Sequence, residues 1–208
     1  MKLYGTYPSH FTRKVRILLE ELGVDYEFQV LEKLLETGSE KFAKNPLHMF
    51  PVLEDGEAWI IESDVISAYT VEKHGENSEF LPLLPTAQER YLSLNRLSII
   101  NGAMEAGVHR IRAARSGIEN LDLFAFFRQE KESIAAALVW LEKDLGRRDS
   151  YSEAGFCYLD ITLICLLEWL EYREFIRDLS AYPNLARFVK VHANRPSIAR
   201  THPRLGAT

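Results

Sequence analysis

The 208 residues are 47% hydrophobic and 26% charged, with a net charge of -5, which is enough apolar material for a core and the wrong sign for a nucleic-acid binder, since such domains carry a basic footprint. No signal-peptide pattern opens the chain, and the most apolar run, 158–167, is broken by Asp160 and Thr162 and too short to span a bilayer. Cys157 and Cys165 sit on or beside that run and are expected as buried thiols in a reducing cytoplasm, with no membrane anchor, metal site or disulfide framework.

Residues 2–5 are a short strand candidate. From Phe11, apolar residues recur at Val15, Leu18, Leu19 and Leu22, one face of a helix that Gly23 ends. Tyr26, Phe28 and Val30 alternate with Glu27 and Gln29, the period of a strand. A weaker, polar helix is expected over 34–44. In FPVLEDGEAWII, Asp55-Gly56 separates two apolar runs and predicts a hairpin. Ser63 opens a helix over 64–73, with Gly75 beyond it. The order β-α-β-α-β-β-α is a parallel βαβ unit followed by an antiparallel hairpin.

Residues 76–86, with Pro82 and Pro85, read as a linker. After it the strand patterns stop. A long helix is expected over 87–115, and another over 123–145, where Ile134, Leu138, Leu141 and Leu145 keep helical spacing. Residues 159–170 are apolar nearly all round and predict a central buried helix. A last helix over 184–194 follows Pro183, with Leu185, Phe188 and Val189 inward. The sequence thus divides into an α/β domain at 1–75, a linker, and an all-α domain at 87–208.

Three places could carry chemistry. Ser9 lies between the first strand and the first helix, where it can cap the helix, or donate its hydroxyl to an anion held at the positive helix end. Pro51 opens the strand after Phe50 either as an ordinary trans proline or in a cis bond that turns the Phe50 backbone outward. Ser63 can cap its helix beside a solvated Glu62, or the two can grip a ligand bearing both carboxylate and ammonium groups. There is no CxxC, glycine-rich phosphate loop or HExxH. His192 reads as structural, and the run from His109 to Arg112 as a solvated helix face.

These places, in this order and spacing, resemble the glutathione transferase family. YPSHFTRKVRILLEELGVDYE is similar to the family's opening, NPLHMFPVLEDG to its N-P-x-G-x-V-P-x-L-x-D/E-G segment, and IIESDVISAY to its I-x-E-S-x-A-I segment. GFCYLDITL resembles its buried helix with a local capping motif, and YPNLARFVKVHANRPSI its last helix. The resemblance implies a thioredoxin-like N-terminal domain, an all-α C-terminal domain and a homodimer. It implies Ser9 as the group that stabilises the glutathione thiolate. Phe50, next to a cis Pro51, would pair its backbone with the cysteinyl part, and Glu62 and Ser63 would hold the γ-glutamyl end. His48 and Val52 complete the expected glutathione site. His48 stands where the family has glycine, Met49 where many members have lysine or glutamine, and Cys157 where the capping motif has serine or threonine. The pattern is most similar to bacterial serine-type members. Without the S-S-C-S-W-R run of the zeta class, maleylacetoacetate isomerase is disfavoured.

Two functions follow from the resemblance. One is an enzyme in which the glutathione thiolate attacks a hydrophobic electrophile or a peroxide, in a pocket that includes His10, Asn101, Met104 and Val108. The other is a non-catalytic, dimeric binding protein on the same fold.

Overall fold

A computed structural model describes residues 1–31, 42, 44–75, 90–153 and 155–206. The expected linker, and all of the expected helix over 34–44 except Phe42 and Lys44, lie outside these residues. Strands β1 (Lys2–Gly5), β2 (Glu27–Val30), β3 (Val52–Asp55) and β4 (Ala58–Ile61) form one sheet in the order β2-β1-β3-β4. β1 and β2 are parallel, with Leu3 opposite Phe28. A parallel pair needs a crossover, and helix α1 (His10–Glu21) supplies it. β3 runs antiparallel to both β1 and β4, and the β3–β4 turn passes through Gly56 at φ +63°. Helix α2 (Ser63–His74) follows β4. Leu3 and Leu53 are paired across β1 and β3 and meet Val15 and Leu19 of α1 and Ile66 of α2 in a small core. Gly5 lets α1 fold back this closely, because a Cβ there would stand 2.4 Å from the Thr12 side chain.

The second domain is helical: α3 (Arg90–Arg115), α4 (Ala125–Leu145), α5 (Tyr158–Tyr172), α6 (Pro183–His192) and α7 (Pro196–Thr201). From Tyr158 to Leu170 every residue of α5 is buried, as a sequence apolar nearly all round requires. Ile100 and Met104 of α3, Leu138 and Leu141 of α4, and Leu185 and Phe188 of α6 pack around it. So do Ile17 and Leu18 of α1. Helix α1 therefore serves two cores, one under the sheet and one in the helical domain.

Two charged residues of α1 are caught between these cores. Arg13 and Lys14 are 1% and 0% exposed, and a buried cation must be paired. Arg13 forms a 2.5 Å ion pair with Glu168 of α5 and donates to the Ile198 carbonyl and Thr201 hydroxyl of α7. Helix α7 lies beyond the predicted elements, its six residues being too short to show a period. It is held in place by charge: Glu21 accepts from Arg195 at 2.6 Å and Ser197 at 2.5 Å.

The start of α5 is fixed by Asp160, which accepts from the Cys157 and Tyr151 N–H groups at 2.8 and 2.9 Å and from the Ser150 hydroxyl at 2.6 Å. This carboxylate thus holds the first turn with cysteine at the N-cap. Burial pushes the Cys157 and Cys165 thiols up to about 12, and both are free. His192 is structural, packed between Phe156 and Phe188 with Nε2 2.7 Å from the Asp149 carbonyl oxygen. No described helix is long and apolar enough to cross a membrane.

Helices α3 and α5 approach closely at Gly107, where a Cβ would stand 2.5 Å from the buried Trp169 ring. Gly107→Ala should therefore destabilise the protein by about 1–3 kcal/mol, the usual cost of overpacking. Urea denaturation measures this, and a midpoint at or above that of wild type would show that Trp169 has room to shift.

Candidate functional site

Strand register determines which segments meet. Tyr4 of β1 lies opposite Val52 of β3, and Val52 lies opposite Ile61 of β4. The segments after β1, before β3 and after β4 therefore share one end of the sheet. They carry Ser9, Phe50-Pro51 and Glu62-Ser63. Neighbouring strands are about 4.8 Å apart, so the three segments lie across roughly 10 Å.

Ser9 is the N-cap of α1, its hydroxyl oxygen accepting from the Thr12 N–H at 3.2 Å. The capping role is realised, and it leaves the hydroxyl proton free to donate. The positive end of α1 lies at the same point. The Phe50–Pro51 peptide is cis, not the trans proline that the local pattern also allowed. The Phe50 backbone makes no hydrogen bond among the described residues. Val52 is fully buried in β3, between Tyr4 of β1 and Ile61 of β4, and presents no surface to a ligand. His48 adopts φ +52°, a left-handed conformation that glycine reaches most easily, which accounts for glycine in the family pattern. Its ring stacks on Phe42 with centroids 5.5 Å apart.

One expectation is corrected at α2. The cap is Glu62, not Ser63. Glu62 stands outside the helix at φ +73°, and its carboxylate accepts from the Asp64 and Val65 N–H groups at 3.0 and 3.4 Å. Ser63 is already helical, and its hydroxyl donates to Glu62 at 3.2 Å. A non-glycine residue at positive φ costs of order 1–3 kcal/mol and persists where its surroundings over-determine it. Those surroundings begin at the next residue. Asp64 Oδ1 accepts from Lys14 Nζ at 2.7 Å and the Tyr158 hydroxyl at 2.6 Å, and Oδ2 accepts from Asn101 Nδ2 at 2.6 Å. Lys14 also donates to Asn101 Oδ1 at 3.1 Å. This cluster joins α1, α2, α3 and α5 directly behind Glu62 and Ser63. Its signal in the sequence is the adjacent Arg13-Lys14 pair on a helix that must be buried on two faces.

The expected pocket residues are placed differently from one another. Asn101 belongs to the Asp64 cluster. Met104 is 0% exposed in the helical core, so it packs that core and offers no surface to a ligand. Val108 is half-buried on the next turn of α3. His10 is buried against Phe11 and Trp169, at ring-centroid distances of 4.2 and 4.1 Å. Burial, with Lys14 and Arg173 nearby, holds its imidazole well below the usual histidine range and therefore neutral.

The family described as glutathione S-transferase, N-terminal domain, matches residues 3–78, and that described as glutathione S-transferase, C-terminal domain, matches residues 111–190. The GST-like protein YibF of Escherichia coli K12 is 30% identical, with 98% of each chain covered. A glutathione S-transferase of Methylobacterium radiotolerans, solved with glutathione sulfonate, superposes with a TM-score of 0.81 at 26% identity over 97% of this chain and 94% of its own. One from Methylobacillus flagellatus, solved with glutathione bound, gives a TM-score of 0.80 at 26% identity over 97% and 98%.

Burial alone would raise the Asp64 carboxyl, but Lys14 and the hydrogen bonds from Lys14, Tyr158 and Asn101 outweigh it, and the net shift is downward. A carboxyl depressed in the folded state contributes stability above its unfolded pKa of about 3.9 and loses it as pH falls through the folded value. Asp64→Asn should cost about 3–5 kcal/mol at neutral pH by leaving Lys14 buried and unpaired. Urea titrations across pH should show the gap to wild type closing below about pH 4. A gap that stays constant into strong acid would mean that the charge on Asp64 is not what stabilises the cluster.

Proposed function

Because the chain belongs to the glutathione S-transferase family, we propose that it is a glutathione transferase that binds glutathione as the thiolate for attack on a hydrophobic electrophile or a peroxide. The observation that carries this reading is the meeting of Ser9, Phe50-Pro51 and Glu62-Ser63 at one end of the sheet. An extended tripeptide spans about 10 Å, close to the width of the two strand spacings across that end. The groups are suited to the three parts of the ligand. The Phe50 N–H and C=O would pair with the cysteinyl backbone. The start of α2 would take the γ-glutamyl carboxylate, its N–H groups and the Ser63 hydroxyl exchanging the Glu62 carboxylate for that of the ligand, and Glu62, released from the cap, would meet the ammonium. His48 would border the same groove, with Val52 buried beneath it.

Ser9 would donate its hydroxyl proton to the sulfur, and the N-terminus of α1 would add positive potential. A free thiol has a pKa of about 8.5, and such surroundings lower it, which raises the nucleophile fraction at neutral pH. Holding both reactants removes much of the entropic barrier. A non-catalytic glutathione-binding dimer is the second reading. Met49 favours it, standing 41% exposed where many members carry a lysine or glutamine near the glycyl carboxylate. We further propose a cytoplasmic homodimer. Val65 on α2, Tyr91, Leu92 and Leu94 on α3, and Val139 on α4 are exposed apolar side chains that a second copy would cover.

Ser9→Ala should largely spare glutathione affinity while raising the pKa of the bound thiol, because the contact favours the charged form. Glu62→Ala should weaken binding by about 1.5–3 kcal/mol, the worth of a charge-assisted contact. Calorimetry gives the affinities and thiolate absorbance against pH gives the midpoint. An unmoved midpoint removes Ser9 as activator, and equal affinities remove Glu62 from the site. Wild type that binds glutathione but conjugates no electrophile would establish the second reading.

Sedimentation should give a single species near twice the 23.9 kDa chain mass. A monomer at micromolar concentration would overturn the dimer.

A further inference from the structure

His10 occupies the first turn of α1, next to Ser9 in the chain. Its side chain is 2% exposed, and neither Nδ1 nor Nε2 has a hydrogen-bond partner among the described residues. A neutral imidazole carries one N–H donor and one acceptor. Buried polar groups are nearly always partnered, and an exception calls for an explanation. Phenylalanine would fill the same space between Phe11 and Trp169 without burying an unsatisfied donor.

The surroundings define what could satisfy it. Trp169 lies against His10 on one side and stacks on Phe175, with centroids 5.6 Å apart, on another. Gly107 admits this ring by presenting no Cβ. Arg173, at the end of α5, is near enough to bear on the charge of His10, and its own Nε is buried without a partner among the described residues. The Trp169–Phe175 stack, half-buried at Phe175, therefore stands beside an imidazole that lacks a partner among the described residues. The ring lies one side chain beneath the surface, since Phe11 and Arg173 are both half-buried. A ligand edge that displaced Phe11, which packs on His10, would reach the imidazole.

We propose that His10 is a specificity-determining residue of the second-substrate site, donating a hydrogen bond to a carbonyl or carboxylate oxygen of an unsaturated or aromatic electrophile whose flat body packs on Trp169. This rests on the transferase reading, which places the sulfur at the neighbouring Ser9.

Two glutathione conjugates that differ by one carbonyl test it: S-phenacylglutathione and S-benzylglutathione. Their affinities are measured by calorimetry on wild type, His10→Phe and His10→Asn, together with glutathione affinity and melting temperature. Wild type should favour the phenacyl conjugate. His10→Phe should lower the phenacyl-to-benzyl affinity ratio about tenfold while melting no lower than wild type, and His10→Asn, which keeps a donor, should restore part of the ratio. The inference fails alone if wild type binds glutathione but shows no preference for the phenacyl conjugate or binds neither conjugate. It also fails alone if His10→Phe leaves the ratio unchanged, or if that variant melts well below wild type, which would make the imidazole a structural group. If wild type binds neither glutathione nor the conjugates, the transferase reading fails and takes this inference with it.

Discussion

The structure depends on one helix with almost no solvent face. Helix α1 packs Val15 and Leu19 under the sheet and Ile17 and Leu18 into the helical domain. Between these apolar residues lie Arg13 and Lys14, both desolvated. A buried charge left unpaired costs several kcal/mol, and an apolar substitute would pack as well or better. What a buried pair adds is selectivity among arrangements. The charge of Arg13 is paired and held only if α5 brings Glu168 and α7 brings the Ile198 carbonyl, and that of Lys14 only if α2 and α3 bring Asp64 and Asn101. Few ways of docking the helical domain meet all four conditions.

The same helix presents the chemistry. Its N-cap is Ser9, and the cluster around Lys14 holds Asp64, the residue after Glu62 and Ser63. The interactions that set one domain against the other therefore also fix the first turn of α2. Glu62 sits at positive φ and turns its carboxylate back onto that turn, a strained arrangement that a loosely held helix end would relax. Fold and site share their supports at this point.

Polar side chains do comparable work elsewhere in the helical domain. Asp160 closes the start of α5 and ties down the loop before it. Glu142 of α4 accepts from the Asn184 and Leu185 N–H groups at 2.9 and 3.0 Å, and so caps α6 from a distant element. The first N–H groups of a helix need acceptors, and where the local sequence lacks a good cap, as at Tyr182, tertiary structure provides one. His10 is the contrast: a buried polar ring without a hydrogen-bond partner among the described residues.

The sequence by itself determined the strands and the longer helices, since their signals are local. The alternation at 26–30, the Asp55-Gly56 turn, the apolar face of α1 and the nearly all-round apolar run of α5 each follow from the period of one strand or helix. It also marked Ser9, Phe50-Pro51 and Glu62-Ser63, through motifs that keep their order along the chain. Only the tertiary structure decided how those places meet, because the register of β1, β3 and β4 brings them to one sheet end. It alone decided that Glu62 rather than Ser63 caps α2, that Met104 is core, and that Asn101 joins Lys14 and Asp64. The reason is range. A hydrophobic period is written within a dozen residues, whereas the partners of a buried charge lie as far as 188 residues away, as Thr201 does from Arg13. No local pattern records such a pair before the two cores close around α1.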